Sequence, residues 1–176
     1  MISLVPIASV AAADVEHLLD IAFGSDRHLR TAYKLREGVD AIPALSIAAI
    51  DDGVLVGSIQ CWPVQLTTSN GGVAPLILVG PVAVHPDRQR GGIGHKLMNA
   101  MLARADAADS EPMTLIGDAV YYDRFFGFSA HHTRGWTVPG PVDRERLLAR
   151  LRPGQTVPAH AALGPRQATA LVPGSD

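Results

Sequence analysis

The chain has 176 residues, 47% of them hydrophobic, so it can bury one substantial core but is too short for two ordinary domains. Its formal net charge of −2 provides no broad electrostatic attraction to nucleic acid or to anionic membranes. The single cysteine, Cys61, excludes an internal disulfide, and no basic residue precedes the apolar N-terminal stretch as in a signal peptide. We therefore expect a cytoplasmic protein with no nucleic-acid or membrane partner.

The N-terminal segment predicts a strand followed by two helices. Residues 2–7 form an apolar run, and Ser9 is placed to cap a helix that ends at Gly24. The apolar residues of this helix recur at helical spacing and are Val15, Leu18, Leu19 and Ala22. A second helix is predicted over residues 27–37 and would be stopped by Gly38.

The next segment predicts an antiparallel meander. Strands over residues 45–50 and 54–67 are joined by an Asp-Asp-Gly turn, and residues 76–84 form the following strand. Pro63 lies inside the second strand and cannot donate a ladder hydrogen bond, so we expect a bulge or a sheet edge there.

A basic, glycine-rich loop follows the third meander strand and opens a helix predicted over residues 92–108. The apolar residues of this helix recur at helical spacing and are Ile93, Leu97, Met101 and Ala105. Its first turn contains no capping side chain and no carboxylate, and the turn and its approach instead hold Arg88, Arg90, His95 and Lys96. A bound anion would explain this arrangement, whereas the alternative is an ordinary glycine-rich turn with solvated charges.

Two common phosphate-binding motifs do not fit this loop. A Walker loop would place Lys-Ser or Lys-Thr after its last glycine, but Gly94 is followed by His95 and Lys96 and then Leu97, with no hydroxyl for Mg²⁺. A dinucleotide-binding fingerprint fails as well, because Leu97 occupies the position of its third glycine.

The C-terminal half predicts a mixed sheet. Residues 113–117 return as a strand after a helical crossover, which implies parallel pairing with residues 76–84. Asp143 is predicted to cap a short helix through residue 150, and residues 168–172 could add an edge strand. We divide the chain into a domain over residues 1–150 and an extension over residues 151–176.

Two segments resemble a known family. Residues 89–94 (QRGGIG) match the Q/R-x-x-G-x-G/A signature of the GNAT N-acetyltransferases, and residues 115–128 (LIGDAVYYDRFFGF) resemble the later family segment that ends in Gly-Phe. The wording of the second segment is closest to the YhbS-like branch. The resemblance implies an α/β (α+β) fold with a mostly antiparallel mixed sheet, helices on both faces, and a parallel strand pair that splays at an acyl-CoA site.

The resemblance also implies acetyl-CoA as cosubstrate and no metal. Backbone groups of the strand would hold the pantetheine and the thioester, and loop amides would bind the pyrophosphate. The residues implied for this role are Val82, Ala83, Val84, Gln89, Arg90, Gly91, Gly92, Ile93 and Gly94.

The family's general acid is a tyrosine near the start of the short helix, which points to Tyr122, with Tyr121 in reserve. The chain carries one residue more than the usual family segment between these tyrosines and Gly127. A regular helix would rotate the tyrosine by about 100° relative to that glycine, unless a local bulge absorbs the residue. The alternative is that both tyrosines are core aromatics.

The acceptor side is less defined. In the resembled fold the two N-terminal helices border the acceptor, which implies Asp26, His28 and Tyr33 as contacts, although solvated helix faces explain them equally well. Asp118, His28 or a water chain could act as general base, and Asp118 could instead cap the short helix. The acceptor would be a small-molecule or protein amine, and a homodimer is left open.

The resulting hypothesis is an N-acetyltransferase that moves an acetyl group from acetyl-CoA to an amine by direct transfer in a ternary complex. The main alternative is a non-catalytic acyl-CoA-binding or regulatory protein that keeps the phosphate loop. An RNA-directed protein is a third option, which the charge balance disfavours.

Overall fold

The computed structural model describes residues 1–167, which form one eight-stranded sheet and four α-helices. The strands are β1 (Ile2–Pro6), β2 (Ile47–Asp51), β3 (Val54–Thr67), β4 (Val73–Val84), β5 (Met113–Ile116), β6 (Gly135–Thr137), β7 (Leu147–Arg150) and β8 (His160–Pro165). The helices are α1 (Ala12–Phe23), α2 (Thr31–Lys34), α3 (Ile93–Ala107) and α4 (Ala119–Phe126). No helix in this described part is long and apolar enough to cross a bilayer.

The sheet is mixed, as predicted. Its main order is β1-β2-β3-β4-β5-β7, with β8 paired to both β3 and β6. The meander β1 to β4 is antiparallel, and β4 and β5 pair in parallel after the crossover through α3. The predicted Asp-Gly hairpin turn is confirmed, since Asp52 and Gly53 both have positive φ.

Helices cover both faces of the sheet. The face beneath α3 carries the larger core cluster, in which Leu97 and Met101 pack against Ile59 and Val79. On the other face, Leu18 and Leu19 of α1 form a smaller cluster with Ala83 of β4. These apolar stripes of the two helices are those that the sequence predicts, because each recurs with the helical period.

A β-bulge in β4 changes which residues face α3. Gly80 and Pro81 together lie opposite the single residue Gln60 of β3, since the pairing shifts between Ile59 and Cys61. In a regular strand, odd-numbered and even-numbered residues point to opposite faces. Because of the bulge, Val79 and Val82 nevertheless pack in the same core cluster. Of the two alternatives predicted at Pro63, the bulge is wrong, since it lies opposite Gln60, and the sheet edge is confirmed as a local one.

Pro63 instead occupies a local gap in the sheet. Its pairing with Ile77 of β4 is regular, and on its other side β8 pairs with β3 only from Val64 onward. The backbone N–H of Arg166 donates to the Pro63 carbonyl at 3.2 Å. The missing proline donor is therefore tolerated because no strand of residues 1–167 pairs with Pro63 on that side.

β4 and β5 separate after a short contact. Their parallel pairing comprises only Ile77 with Met113 and Leu78 with Thr114. Beyond Leu78, β4 continues for six residues to Val84 without a strand partner on that side among residues 1–167. The divergence opens a wedge-shaped cleft between the C-terminal ends of the two strands.

Two N-terminal predictions need correction. Ser9 does not cap α1: its hydroxyl donates to the Pro6 carbonyl inside a 3-10 turn, and α1 begins at Ala12 with Ala11 as its N-cap. The helix predicted over residues 27–37 is split, because Arg30 is extended between a 3-10 turn and the short α2. The Arg27 side chain pairs with Glu16 and Asp20 of α1, and these contacts hold the 3-10 turn against that helix.

The helix predicted through residue 150 is also wrong. Asp143 caps only a 3-10 turn, accepting the Glu145 N–H at 3.0 Å, and the chain then becomes β7. Leu147 and Leu148 are buried on opposite faces of the sheet, which an extended backbone achieves by alternation. Residues 168–172, the predicted edge strand, lie outside the described residues, whereas β8 was not predicted.

Candidate functional site

The cleft between β4 and β5 contains a cavity with a volume of about 570 Å³. One wall is the β4 bulge, the opposite wall is the end of β5 with the start of α4, and the segment around α2 closes the third side. Residues 141–146, just before β7, form the rest of the lining. The parallel pair therefore splays where the resemblance implied a site.

The β4 wall combines a free backbone edge with apolar side chains. Val82 lines the cavity, whereas Ala83 is buried on the opposite face against α1. Val84 lies next to the glycine loop, since a methyl group on Gly94 would sit 3.5 Å from its Cγ2 atom. The Gly80 carbonyl accepts the Trp62 indole N–H at 2.7 Å, which holds the bulge in place.

The loop after β4 presents backbone amides to solvent. A 3-10 turn over Pro86–Gly91 leads to Gly92, whose positive φ of 69° marks the N-cap of α3. Within residues 1–167 no side chain caps the first turn of α3 and no acid lies in it. The N–H groups of this turn are therefore available to an anion that approaches over Gly92.

Of the two loop arginines, Arg88 is already engaged. It pairs with Asp51 at the end of β2, and this contact, together with the N-terminal ammonium, lowers the pKa of the Asp51 carboxyl. Arg90 is exposed and forms no salt bridge with another described residue. Arg90 is thus the arginine that remains for ligand binding at the loop.

Tyr122 faces the cavity from the first half of α4. Its ring packs so closely on Gly117 that a methyl group there would lie 2.5 Å from the Tyr122 Cε2 atom. Burial is the main reason why the pKa of Tyr122 is raised above its usual value. Tyr122 is therefore a protonated hydroxyl donor across the physiological pH range, and Gly117 makes room for it.

Tyr121 is placed elsewhere. It does not line the cavity, and its hydroxyl lies 3.4 Å from Nδ1 of His95 in the first turn of α3. Its ring also packs against Phe125, with ring centroids 5.3 Å apart. The two neighbouring tyrosines therefore lie in different surroundings, and of the two Tyr122 lines the cavity.

α4 is capped at its start and irregular only at its end. The helix spans Ala119–Phe126, and its last turn is widened: the Gly127 N–H donates to the Asp123 carbonyl at 3.1 Å and also to the Tyr122 carbonyl, which accepts the Phe128 N–H at 3.2 Å as well. Gly127 adopts the left-handed conformation that ends the helix. The widened turn therefore lies at the C-terminal end of α4, away from the Asp118 cap.

The predicted acceptor contacts fall into two groups. Tyr33 and Asp118 line the cavity, whereas Asp26 and His28 are exposed and lie outside its lining. His28 reaches the site only by packing edge-on against Tyr33, with centroids 4.7 Å apart. Asp118 accepts the Tyr121 N–H at 2.9 Å, so it caps α4 while bordering the cavity.

Sequence reasoning missed the arginines of this cavity. Arg27 is 2% exposed and pairs with Glu16 and Asp20 of α1, and it also donates to the Tyr33 hydroxyl. Arg36 stacks on Tyr33, its guanidinium carbon 3.7 Å from the ring centroid. No sequence signal separates these arginines from solvated helix residues, because their burial arises only when α2 folds over the cleft.

The arrangement brings together three chemical capabilities. The unpaired backbone of β4 can form a short ladder with an extended ligand, and the adjacent start of α3 can bind phosphate. The Tyr122 hydroxyl can donate a proton at the cavity between them. No group of three or more potential metal-ligating side chains occurs in residues 1–167.

Comparisons with known proteins agree with this geometry. The chain is 27% identical over 135 residues to an uncharacterized N-acetyltransferase, YjhQ, of Escherichia coli K12, covering 76% of this chain and 74% of that protein. A GNAT family acetyltransferase from Brucella melitensis, solved with acetyl-CoA, superposes with a TM-score of 0.61 and 25% identity, covering 94% of this chain and 96% of that one.

The fold is also that of YhbS from Escherichia coli, solved in complex with CoA, with a TM-score of 0.69, 21% identity, and coverage of 94% of this chain and 89% of that one. The family model described as "Acetyltransferase (GNAT) domain" matches residues 7–130, which is most of the chain. The predicted family is therefore confirmed: this protein belongs to the GNAT acetyltransferases.

Proposed function

We propose that the protein is an N-acetyltransferase that transfers an acetyl group from acetyl-CoA to an amine within a ternary complex. One observation supports this proposal above the others: the free backbone edge of β4 and the Tyr122 side chain border the same cavity. A thioester held along β4 would place its leaving sulfur on the side of the cavity that holds a protonated tyrosine. Family membership and the acetyl-CoA complex of the Brucella relative support the same cosubstrate.

The described residues fit acetyl-CoA at the loop. A Cβ atom added to Gly92 would have no heavy atom within 4 Å beyond its chain neighbours, so nothing blocks the approach of a phosphate to the backbone. The amides of residues 89–94 would bind the pyrophosphate, and Arg90 would supply a bidentate cation. Backbone groups of residues 82–84 would hold the pantetheine arm.

Acetyl-CoA supplies the activated acyl group as a thioester. The protein then needs to hold the carbonyl, provide a proton for the leaving sulfur, and receive the amine unprotonated. Tyr122 holds the proton on its hydroxyl oxygen, and its raised pKa keeps that proton in place until the sulfur leaves. The β4 backbone orients the carbonyl.

The charge of the cavity favours the neutral form of a bound amine over its ammonium form. Four arginines and two aspartates line it, and nearby cations disfavour the ammonium form of a bound amine. Asp118 is the lining carboxylate nearest in sequence to Tyr122, although it already accepts a backbone hydrogen bond. We propose that the cationic surrounding favours loss of the amine proton and that solvent accepts this proton.

The loop assignment is tested by two isosteric substitutions, Gly92→Asp and Gly92→Asn. Both side chains tolerate the left-handed conformation, so both carry a similar backbone cost. Asp adds a negative charge where a phosphate would bind, next to the positive end of α3. We expect acetyl-CoA to raise the Tm of wild type and of Gly92→Asn by mass action, and the shift to vanish in Gly92→Asp.

Apo stability is the control for this comparison. The Tm of Gly92→Asp without ligand should equal or exceed that of Gly92→Asn, since a carboxylate at this end favours the helix dipole. Equal acetyl-CoA shifts in the two variants would contradict the loop assignment. An acetyl-CoA shift without turnover on any amine would favour the non-catalytic acyl-CoA-binding alternative.

A further inference from the structure

Arg36 occupies an unusual position on the acceptor side of the cavity. It follows α2, lines the cavity, and has its guanidinium between two aromatic rings, 3.7 Å from the Tyr33 centroid and 4.3 Å from the Trp62 centroid. Trp62 is itself fixed by its hydrogen bond to Gly80 in the β4 bulge. The cation is therefore held rigidly beside the place where β4 diverges.

The charge of Arg36 is only partly balanced within the described residues, by Tyr33 and by the carboxylate of Glu16, which does not form a salt bridge with it. Its Nη1 atom is buried without a hydrogen-bond partner, and no carboxylate of residues 1–167 forms a salt bridge with it. The neighbouring Arg27, by contrast, is paired with both Glu16 and Asp20. Burial lowers the pKa of Arg36, which reflects the cost of keeping an unpaired cation away from water.

An anion brought by a ligand would relieve this cost. The phosphates of acetyl-CoA are expected at residues 89–94, none of which lines the cavity. A ligand anion that reached Arg36 would then belong to the other substrate. Arginine presents a planar fork of donors that matches a carboxylate in a bidentate manner.

We propose that the acceptor is a small amine that carries a carboxylate, such as an amino acid, and that Arg36 binds this carboxylate. The inference rests on the proposed acetyl transfer. The remaining lining offers space for an apolar body, because Phe23, Leu78 and Val142 border the same cavity. The acceptor class is thus an amino acid with an apolar side chain.

The experiment uses matched acceptor pairs, each an apolar amino acid and its decarboxylated amine, for example phenylalanine with phenethylamine and leucine with isoamylamine. For wild type we expect kcat/KM to be about 10- to 100-fold higher for the carboxylated member, the value of a charge-assisted hydrogen-bond pair. In Arg36→Gln this preference should disappear because KM rises for the carboxylated member, whereas the decarboxylated amine loses only the share of Arg36 in the cationic surrounding and should fall by no more than a few-fold. Arg36→Lys should restore part of the preference, because it keeps the charge without the fork.

Arg134→Gln is the matched control, since Arg134 is exposed and lies outside this cavity. The acetyl-CoA-induced Tm shift, measured for every variant, shows that the fold and the loop are intact. Equal wild-type use of both members of each pair would overturn the proposal, as would equal losses on both members in Arg36→Gln. An acetyl-CoA shift without turnover of any carboxylated amine would overturn the acceptor class alone, whereas absence of that shift would overturn the proposed function itself.

Discussion

Tyr121 and Tyr122 are adjacent in the chain but lie in different surroundings, and this difference defines the candidate acid. Tyr122 borders the cavity against Gly117, while Tyr121 contacts His95 and Phe125 outside it. Successive helical residues point about 100° apart, so only one of the pair can face a given cleft. The widened turn at the end of α4 leaves that choice undisturbed.

Replacing Tyr122 by phenylalanine should lower kcat by about 100-fold, the usual contribution of a general acid, with little change in acetyl-CoA affinity. Because burial raises the pKa of Tyr122, the wild-type rate should not fall through ionisation of this group until the pH exceeds about 10. Steady-state kinetics across pH, together with the acetyl-CoA-induced Tm shift, measure both effects.

Tyr121→Phe is the matched control, since it removes a hydroxyl one residue away. It should leave kcat within a few-fold of wild type. If Tyr121→Phe lost activity and Tyr122→Phe did not, the roles of the two tyrosines would have to be exchanged.

Asp118 illustrates how one carboxylate can border a cavity and still act structurally. It caps α4 through the Tyr121 N–H, and this role needs only a side-chain oxygen. Asp118→Ala should therefore cost about 1 kcal/mol and lower the Tm by about 2–4 °C, whereas Asp118→Asn should preserve both the cap and kcat. Thermal unfolding and turnover of the two variants separate the roles.

The isosteric variant Asp118→Asn decides whether the Asp118 carboxylate accepts the amine proton. A large loss of kcat in Asp118→Asn with an unchanged Tm would show that the carboxylate takes the amine proton. In that event the cationic cavity would not be sufficient to deprotonate the acceptor.

At the scale of elements, the acid at the C-terminal end of α3 is paired with an arginine, whereas the N-terminal turn has no side-chain partner in the described structure. Its C-terminal acid Asp106 opposes the helix dipole but is bound bidentately by Arg150 at the end of β7, with both N–O distances 2.9 Å. Arg152 likewise pairs with Asp109 just beyond the helix. Its N-terminal turn has no such partner in the described structure, which leaves it open to a ligand.

The Asp106 contacts predict a stability change in acid. Hydrogen bonding to Arg150 lowers the pKa of Asp106 below its usual value near 4, so the stabilisation is complete above about pH 4 and is lost as the pH falls through the folded-state pKa. Because Asp106 is 41% exposed, Asp106→Asn should cost only about 0.5–1 kcal/mol at neutral pH. Urea unfolding at neutral and acid pH measures the difference, which should shrink in acid and in high salt.

Asp40→Asn serves as the control, since Asp40 is exposed and forms no salt bridge within residues 1–167. Its stability should follow wild type at every pH. A destabilisation by Asp106→Asn that persists unchanged at low pH would contradict an electrostatic role for this contact.

The elements that sequence predicted correctly have strong local signals, and the ones it missed depend on distant partners. The stripe through Leu97 and Met101 has the helical period and is buried as predicted. The segment after Asp143 has a good helix cap but becomes a strand, because β5 offers an unpaired edge beside it. Pairing between segments so far apart in the chain produces no recognisable pattern within a short stretch of sequence.

At the scale of the whole molecule, β8 joins the C-terminal residues to the main sheet. It pairs with β3 at residues 162–165, and Leu163 packs in one buried cluster with Leu66 and Trp136. The Trp136 indole donates to the Pro158 carbonyl at 2.9 Å. We therefore expect the segment after residue 150 to be required for the stability of the cleft rather than to be a dispensable extension.

Leu163→Ala tests this expectation. Leu163 is 3% exposed, so its truncation should lower the free energy of unfolding by about 2–5 kcal/mol, as expected for a buried leucine. The neighbouring Ala162 is exposed, and Ala162→Ser should change it by no more than about 0.5 kcal/mol. Chemical denaturation of both variants provides the comparison, and equal stabilities would show that β8 is an independent appendage.

The sequence by itself determined the family, the meander, the glycine loop and its helix, because each depends on neighbours within a few residues. It also narrowed the candidate acid to two tyrosines. The tertiary structure decided which tyrosine faces the cavity, where the β4 bulge lies, and that Arg27 and Arg36 converge on the acceptor side. These features arise from contacts between distant segments: the angle at which β4 leaves β5, and the folding of α2 across the opening, bury charges that the sequence presents as ordinary surface residues.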